Sequence, residues 1–315
     1  MPKVSICIPT YKQVDYLRKT LNSVLAQDFH DYELIITDDS SDDSVENLLK
    51  EFDFKGKLKY YRNTVSLGSP ANWNYSLKQA SGDYLKILHH DDFFTSENSL
   101  SKFVKFLDNN PSASFAFSGT VIDLILLKTK KIHSCSNKQF SKMLKQPDRL
   151  FFSNYIGAPS ATIIRKDSLL MFDESMKWLV DVDWYMQLIF QNPNVIFSKE
   201  PLICTVHGGE GQVTQSFYTD KEVQVKEHVY LFEKLADKKG NLKKYSLLFQ
   251  LLFHKYGVRD LTQLKSICSV PAKSEIFYLE VLNSMKSTIF LKKIVFWLKK
   301  KSFNDHIFTL KTYFK

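Results

Sequence analysis

The first half of the chain alternates short apolar runs with segments of helical periodicity, and this alternation restricts the fold more than any other feature. The predicted strands are Val4–Pro9, Tyr32–Thr37, Leu58–Tyr61, Tyr84–Leu88 and Ala113–Ile122. Apolar residues recur at helical spacing between them, beginning with Val14, Leu17, Leu21, Val24 and Leu25. Repeated strand–helix–strand units of this length predict an α/β fold, with a mostly parallel, Rossmann-like sheet flanked by helices on both faces.

Charge divides the chain into two parts. Residues 216–315 hold 19 Lys and Arg against 9 Asp and Glu, whereas residues 1–215 hold 24 against 25. The net charge of +9 therefore arises entirely in the last third, which is helical in pattern and poor in Gly and Pro. We predict a domain over 1–215 joined to a helical, Lys-rich region over 216–315 that meets an anionic partner.

Composition favours a folded cytoplasmic protein. Hydrophobic residues make up 44% of the chain and charged residues 24%, as in ordinary globular domains. The N-terminus has no signal-peptide pattern, and no apolar run approaches the roughly 20 residues of a membrane-spanning helix. The four cysteines are scattered and form no CxxC pair, which fits reduced thiols.

Paired acidic residues follow two of the predicted strands. Asp38 and Asp39 follow the second strand, in ITDDSSDD, and Asp91 and Asp92 follow the fourth, in LKILHHDDFF. Ligands of open α/β sheets bind beyond the carboxyl ends of the strands. A carboxylate after the second strand can accept from a base N–H or a ribose hydroxyl; the alternative is a solvated turn that caps the next helix.

The sequence HHDD at residues 89–92 suits a divalent cation. Such cations take carboxylate oxygens, and Mn²⁺ also takes imidazole nitrogen. On an extended segment, residues two apart point the same way, which predicts that His89 pairs with Asp91 and His90 with Asp92. The alternative is a helix N-terminus capped by Asp92, with histidines that only form nearby hydrogen bonds.

Two long stretches resemble a known family. VSICIPTYKQVDYLRKTLNSVLAQDFHDYELIITDDSSDDS resembles the opening of the family 2 glycosyltransferases, which have the GT-A fold. SGDYLKILHHDD is similar to the strand that leads into the DxD metal motif of that family, and the resemblance covers residues 3–215. The resemblance implies transfer of a hexosyl or N-acetylhexosaminyl group from a nucleotide-diphosphate sugar. Among such donors, it favours a UDP-sugar. The acceptor would be a hydroxyl of a glycan or lipid-linked oligosaccharide in bacterial surface polysaccharide synthesis, and the reaction would invert the anomeric centre.

The resemblance also assigns residues on the donor side. The nucleotide pocket would be lined by Pro9, Thr10, Tyr11, Asp38, Asp39 and His90. His89-His90-Asp91 stands where the family has DxD, so Asp91 is the expected metal carboxylate, His89 a second ligand, and Asp92 lies just behind. A histidine in place of the first aspartate removes a negative charge and leaves Mn²⁺ and Mg²⁺ both open.

The segment GAPSATIIRKDSLLMFDESMKWLVDVDWYMQL, residues 157–188, resembles the acceptor side of the family's active site. Asp181 aligns with the general base, while Val180 stands where a glutamate is usual. Asp183 and Ser160 are expected to support this side of the site. The alternative is that DVDW contains only helix-capping residues.

The glycine-rich segment CTVHGGEGQVTQ, residues 204–215, is typical of a loop that closes over a diphosphate. Its His207 resembles the late histidine of the family that contacts metal or diphosphate. A structural role for a single loop histidine remains the alternative.

The stretch IFLKKIVFWLKKK, residues 289–301, is amphipathic as a helix. Lys292, Lys293, Lys299 and Lys300 fall on one sector, with six apolar residues opposite. This pattern suits a helix in the interface of an anionic membrane and predicts a peripheral location on the inner face of the cytoplasmic membrane. The alternative is that the helix packs on the catalytic domain.

Two other functions compete with sugar transfer. A sugar nucleotidyltransferase would need a glycine-rich phosphate loop near the N-terminus, and PTYKQ has no glycine. A basic nucleic-acid-binding protein would use the Lys-rich third, but the sequence has no zinc-finger, basic-zipper or RNP pattern. We therefore expect a nucleotide sugar as partner, and no nucleic acid.

Overall fold

A computed structural model of the chain describes residues 1–208, 217, 219–236 and 242–285. Contacts divide the chain into two compact units, Met1–Gln215 and Ser216–Lys315. The predicted amphipathic segment 289–301 lies outside the described residues. That the second unit is a membrane-associating extension stays a prediction.

The first unit is built on one sheet. Its strands are β1 (Val4–Thr10), β2 (Tyr32–Asp38), β3 (Leu58–Arg62), β4 (Tyr84–Ile87), β5 (Asp92–Phe94), β6 (Phe115–Leu124), β7 (Thr129–His133), β8 (Thr162–Arg165) and β9 (Val195–His207). Its helices are α1 (Val14–Leu25), α2 (Ser44–Leu49), α3 (Ala71–Lys78), α4 (Ser99–Asp108), α5 (Asn137–Lys145) and α6 (Val180–Gln191). All five predicted strands are present, and their bounds differ from the prediction by one or two residues.

The strands pair in the order β3-β2-β1-β4-β8-β6-β9-β5, and β7 pairs with residues 120–124 of β6, beyond the part of β6 that pairs with β8. The block β3-β2-β1-β4 is parallel throughout, as is the pair β6 and β9. From β4 onward the sheet also contains antiparallel pairs, formed by β8, β7 and β5. Since β3, β2, β1 and β4 run in one direction, their carboxyl ends meet at one edge.

Helices cover both faces of the parallel block, which is why β1 and β2 are buried along their whole length. On one face, apolar residues of α1 such as Leu17 and Leu21 share a cluster with Ile6 and Ile8 of β1. On the other face, the Cys7 thiol donates to the carbonyl of Ser76 in α3. Burial of each large aliphatic side chain contributes about 1.5–3 kcal/mol, so this core fixes the position of the strand ends.

The second unit is helical where it is described. Its helices are α7 (Lys221–Ala236), α8 (Ser246–Tyr256), α9 (Leu261–Ile267) and α10 (Ala272–Met285). Their core is an aromatic cluster formed by Phe232, Tyr245, Phe249, Phe277 and Tyr278. Among the described residues, no helix combines the length and apolar character needed to cross a lipid bilayer.

Candidate active site

Three of the predicted polar segments meet at the carboxyl edge of the parallel block. Thr10 ends β1 and pairs in register with Asp38, which ends β2. Ile87, the last residue of β4, pairs with Cys7 of β1, so the HHDD segment leaves the sheet beside the other two. The sheet thus brings together the nucleotide and metal residues that the sequence places some 50 positions apart.

Asp38 is fully buried and its oxygens are used by the protein. Oδ1 accepts hydrogen bonds from Thr10 Oγ1 (3.3 Å) and from the backbone N–H of Ser40 (2.9 Å), and Oδ2 accepts from Tyr60 Oη (2.8 Å). Burial and the bond to Asp38 raise the pKa of Tyr60. These three bonds fix the buried carboxylate of Asp38 against β1 and β3, and its predicted role in nucleotide binding stays a prediction.

Asp39 holds the loop that follows β3. Its carboxylate accepts from Asn63 Nδ2 (2.8 Å), Ser66 Oγ (2.9 Å) and the backbone N–H groups of Leu67 (2.8 Å) and Gly68 (2.7 Å). Gly68 has φ 70°, a left-handed conformation that favours glycine. These four bonds fix the loop 63–68 against the end of β2, a contact that the sequence analysis missed.

The three residues Pro9, Thr10 and Tyr11 differ in solvent exposure. Pro9 and Thr10 are buried, and the Thr10 carbonyl accepts from the N–H of Asp39 (3.0 Å). The Tyr11 side chain is 49% exposed, with the Lys12 ammonium 5.2 Å from its ring centroid. Of the three residues, Tyr11 is the one whose ring is accessible to a base.

The HHDD segment forms a tight turn rather than an extended strand. The N–H of Asp92 donates to the carbonyl of His89 (3.0 Å), and β5 begins at Asp92. His89 Nδ1 consequently lies 3.9 Å from Asp92 Oδ2, while His90 Nε2 lies 3.3 Å from Gln13 Oε1. The predicted pairing of His90 with Asp92 is wrong, because side chains alternate in direction only on an extended backbone.

His89 has a ring nitrogen that the protein does not use. Its imidazole packs on the Trp73 indole with centroids 4.5 Å apart, and its backbone N–H donates to Ser160 Oγ (2.9 Å). Nε2 is buried, and none of the residues that the structure describes forms a hydrogen bond with it. Burial lowers the pKa of His89 to about 4, against the opposing charge of Asp91. The imidazole is therefore neutral at neutral pH, and such an orphaned nitrogen is suited to a ligand.

A buried lysine lies beneath this turn. Lys86 in β4 is fully buried, and its Nζ donates to the carbonyls of Ile87 (3.1 Å) and Ser160. Burial lowers the pKa of Lys86 to about 7, with the charge of Asp92 acting in the opposite direction. Burial also raises the pKa of Asp92, although a hydrogen bond with Ser160 lowers it. Asp92 is thus buried, with 4% of its surface exposed, and its place just behind a metal-binding Asp91 stays a prediction.

His207, the last residue of β9, lies on the other side of the turn. Asp92 pairs in register with Thr205, which brings the end of β9 alongside the segment 90–92. Burial lowers the pKa of His207, and the charge of Asp91 acts to raise it. Asp91 thus lies within electrostatic range of His89 and His207 alike. The predicted loop continues into residues 209–215, which lie outside the described residues.

The part of the chain that the structure describes contains no group of three or more His, Cys, Asp or Glu side chains arranged to hold a metal ion by themselves. The orphaned Nε2 of His89 and the neighbouring Asp91 carboxylate nevertheless provide two metal-competent groups. Mg²⁺ usually binds through one or two carboxylates and completes its shell with substrate phosphates and water. These residues fit a cation that takes its remaining ligands from a diphosphate.

Asp181 lies in the first turn of α6. Its Oδ2 accepts from Asn154 Nδ2 (2.8 Å) and its Oδ1 from the backbone N–H of Val182 (2.8 Å). Asn154 also donates to the carbonyl of Gly157 (3.0 Å), which accepts from Tyr185 Oη as well (3.0 Å). Asn154 is a positioning residue that the sequence analysis did not identify.

One buried phenol links the two sides of the site. Tyr185 is fully buried, and burial raises its pKa. The negative charges of Asp181 and Asp92 raise the pKa further, that of Asp181 more strongly. Asp181 and Asp92 are therefore both within electrostatic range of the Tyr185 hydroxyl. Asp183 is also buried, but its Oδ1 accepts from Gln187 Nε2 (3.1 Å) within α6. The structure thus separates the two aspartates of DVDW by their surroundings.

The sequence of the chain is similar to a known protein family and to several curated proteins. The model of the family described as glycosyl transferase family 2 matches residues 5–170, just over half of the chain. A Campylobacter jejuni protein named GalNAc(5)-diNAcBac-PP-undecaprenol beta-1,3-glucosyltransferase is 39% identical over 97 residues, 29% of this chain and 30% of that protein. Poly(ribitol-phosphate) beta-N-acetylglucosaminyltransferase TarS of Staphylococcus aureus is 25% identical over 231 residues, 70% of this chain and 38% of that protein. The chain therefore spans about a third of the length of these curated relatives.

Solved structures show the same fold. Residues 1–349 of S. aureus TarS in complex with UDP-GlcNAc superpose with a TM-score of 0.59 at 19% identity, over 90% of this chain and 80% of that one. The mannosyltransferase PcManGT of Pyrobaculum calidifontis, in complex with GDP-Man and Mn²⁺, has a TM-score of 0.54 at 14% identity, over 95% and 80%. The predicted GT-A fold is confirmed.

Proposed function

The chain belongs to glycosyl transferase family 2, and we propose that it transfers a sugar from a nucleotide-diphosphate sugar to a hydroxyl group of a glycan or lipid-linked oligosaccharide. One observation carries this proposal. The segment 157–160 joins the turn 89–92 to the start of α6. Its Gly157 carbonyl accepts from Asn154, which holds Asp181, and its Ser160 Oγ accepts from the backbone N–H of His89. A donor held at the turn and an acceptor held at α6 would meet there.

The donor side binds the nucleotide. Tyr11 offers an exposed ring for the base at the end of β1. Asp39 and the loop 63–68 form the wall beside it, with the two backbone N–H groups of Leu67 and Gly68 committed to Asp39. The pocket is therefore pre-organised before the donor arrives, which lowers the entropy cost of binding.

Asp91 and His89 would hold Mn²⁺ or Mg²⁺ together with the donor diphosphate, and His207 is the candidate third ligand. When bound, the cation would neutralise negative charge that develops on the departing diphosphate. The protein contributes the orientation of its own groups. Trp73 packs on one face of His89 and Ser160 Oγ accepts its backbone N–H, which together fix the position of the imidazole.

Asp181 is the proposed general base. Its carboxylate is held by Asn154 Nδ2 and lies at the N-terminus of α6, where the helix dipole favours the ionised form. It would take the proton of the acceptor hydroxyl as that oxygen attacks the anomeric carbon. One in-line displacement of the nucleoside diphosphate inverts that carbon.

The similar proteins support the choice of substrates. The S. aureus protein was crystallised with UDP-GlcNAc, and the C. jejuni protein is named for an undecaprenol-linked acceptor. We infer a UDP-sugar donor carrying a hexosyl or N-acetylhexosaminyl group, and an acceptor in bacterial surface polysaccharide synthesis. A lipid-linked acceptor would place the protein at the inner face of the cytoplasmic membrane.

A thermal-shift screen of nucleotide sugars, each with and without Mn²⁺, tests the donor and the metal together. We expect one UDP-sugar to raise the melting temperature, with a larger rise when Mn²⁺ is present. The same donor should then release UDP in the presence of a lipid-linked glycan extract. A protein that no nucleotide sugar stabilises, and that releases no nucleotide, is not the enzyme proposed.

A further inference from the structure

The tip of the hairpin formed by β6 and β7 is apolar and exposed. Residues 125–132 are all exposed, and four of them carry large aliphatic side chains. Leu126 is 77% exposed, Ile132 68%, Leu127 65% and Ile125 41%. Single exposed apolar residues are common, but four within eight consecutive positions form a patch that calls for a partner.

The same tip is basic. Lys128, Lys130 and Lys131 lie among the apolar residues, and Asp123 is the single acidic residue between positions 121 and 133. Lys130 Nζ lies 3.8 Å from Asp123 Oδ2, and the segment keeps a net charge of +2. A patch of this composition complements a surface that is apolar inside and anionic at its boundary.

The hairpin borders the candidate site on the acceptor side. Leu126 packs beside Gly208, the residue after His207, where an added Cβ would lie 3.1 Å from Leu126 Cγ. At the other end of β7, His133 Nδ1 lies 3.3 Å from the position of a Cβ on Gly157. The Gly157 carbonyl accepts from Asn154, which holds Asp181, so both ends of the tip are in contact with site segments.

We propose that this hairpin tip inserts into the surface of an anionic lipid bilayer and presents the acceptor side of the site to a lipid-linked substrate. The second part of this inference rests on the proposed function. Aliphatic side chains would enter the headgroup boundary, and the lysines would remain among the anionic headgroups.

Vesicle flotation of the full-length protein tests the apolar contribution. Leu126→Ser combined with Leu127→Ser removes two exposed aliphatic side chains without changing the charge. We expect this variant to bind vesicles of phosphatidylcholine with 30% phosphatidylglycerol about tenfold more weakly than the wild type. Val65→Ser with Leu25→Ser is the matched control, since these residues are 75% and 40% exposed elsewhere on the first unit. Every variant keeps residues 289–301, so that the contribution of this segment is common to all.

A second pair of variants tests the charge. Lys128→Gln with Lys131→Gln should weaken binding to the same vesicles about 20-fold at low salt and less at high salt. Lys138→Gln with Lys142→Gln removes two exposed charges from α5 and is the control. If each control loses as much binding as its hairpin counterpart, the hairpin is not the contact and the proposal is wrong.

Insertion itself can be observed directly. All four native cysteines, Cys7, Cys135, Cys204 and Cys268, are buried, so Leu126→Cys supplies an exposed thiol for an environment-sensitive fluorophore. We expect a blue shift of its emission on anionic vesicles and none for the same label at Val65→Cys, an exposed position elsewhere on the first unit. A label that shifts instead with protein concentration in vesicle-free buffer would show contact between two copies of the chain and overturn the proposal.

Failure of this inference and failure of the proposed function are distinguishable. Donor stabilisation in the thermal-shift assay requires neither a membrane nor Leu126 and Leu127, and should be equal in the Ser variant and the wild type. Transfer to an acceptor embedded in vesicles should decrease in the variant. An absence of donor binding in both proteins would reject the enzyme, whereas equal flotation of both would reject the hairpin.

Discussion

Two strands that end at the same edge of the sheet use their acidic residues in different ways. After β2, Asp38 and Asp39 accept at least seven hydrogen bonds between them, all from protein groups. After β4, the turn 89–92 leaves His89 Nε2 buried and without a hydrogen bond to any described residue, and it buries the Asp92 side chain. The first end is already complete, whereas the second has unused capacity.

This difference in hydrogen bonding indicates a structural role for the end of β2 and a ligand-binding role for the turn after β4. A buried polar atom without a partner is costly, and native structures retain few such atoms outside sites that bind something. In the proposed enzyme, the end of β2 would stabilise the wall of the donor pocket, and the turn after β4 would receive the diphosphate of the donor. Substitutions in the turn after β4 should therefore reduce activity and ligand binding. Substitutions at the end of β2 should reduce folding stability.

The largest expected effect is a loss of turnover on substitution of Asp181, which Asn154 holds on the proposed acceptor side of the site. Asp181→Asn keeps the shape but cannot take a proton, so we expect kcat to fall about 1,000-fold. The Kd of the donor, measured by calorimetry, should change less than about twofold. Initial rates of labelled sugar transfer to a lipid-linked glycan extract report kcat.

Asp183→Asn is the matched control, two positions later in the same helix. Its side chain accepts from Gln187 within α6, so it should retain activity within about tenfold of the wild type. Normal turnover in Asp181→Asn, with loss in Asp183→Asn, would transfer the role of base to Asp183.

The next effect concerns the turn after β4. Asp91→Asn removes the carboxylate proposed to hold the cation, so donor affinity in the presence of Mn²⁺ should fall about 100-fold, while the melting temperature of the free protein stays near that of the wild type. Calorimetry with and without Mn²⁺ checks both the affinity and its metal dependence. Asp53→Asn, an exposed carboxylate after α2, controls for the change in net charge. Unchanged Mn²⁺-dependent affinity would exclude Asp91 as a ligand.

At the end of β2 the effect should appear in stability instead. Asp39→Asn cannot accept from all four donors of the loop 63–68, so we expect the free energy of unfolding to decrease by about 2 kcal/mol. Urea denaturation measures this loss. Asp42→Asn, at an exposed residue that accepts from the backbone N–H and the hydroxyl of Ser44, should cost well under half as much. Equal stabilities would mean that the loop does not depend on Asp39.

The smallest effect lies at the opposite end of β2. Glu33 is buried, and although burial alone raises its pKa, hydrogen bonds from Lys59, Ser5 and Ser81 lower the pKa to about 2. The unfolded chain binds this proton at higher pH, so Glu33 stabilises the fold above pH 4.5 and this contribution is lost as the pH falls towards 2. Between pH 4.5 and 3, the wild type should lose about 1 kcal/mol more than Glu33→Gln in urea denaturation. Parallel pH profiles would contradict this assignment.

The fold was largely predictable because strand and helix patterns are local. β1 and β2 stand out as apolar runs, and α1 has an apolar face with regular spacing. The short strand β5 was missed, since its three residues follow a polar cluster and pair with β9, more than 100 positions away. The antiparallel pairings beyond β4 depend on contacts of the same long range, which periodicity does not encode.

The site was predictable in location and only partly in geometry. The sequence indicated the strand ends, but the direction of each side chain in the turn 89–92 depends on a backbone reversal that no local pattern announced. Asn154 carried no signal, because a single asparagine in SNYIG resembles any turn residue. Lys86 did carry a signal that was overlooked: a lysine within the run YLKIL of a strand buried on both faces requires a specific partner.

Ser160 belongs to both halves of the site at once. Its carbonyl accepts from Lys86 and its hydroxyl from the backbone of His89, while it stands three residues after Gly157, on which Tyr185 and Asn154 converge. Any movement of His89 on donor binding must therefore displace the chain that positions the acceptor. We expect the two substrates to bind in a compulsory order, with the donor first. The Michaelis constant of the acceptor should then depend on which nucleotide occupies the donor half of the site.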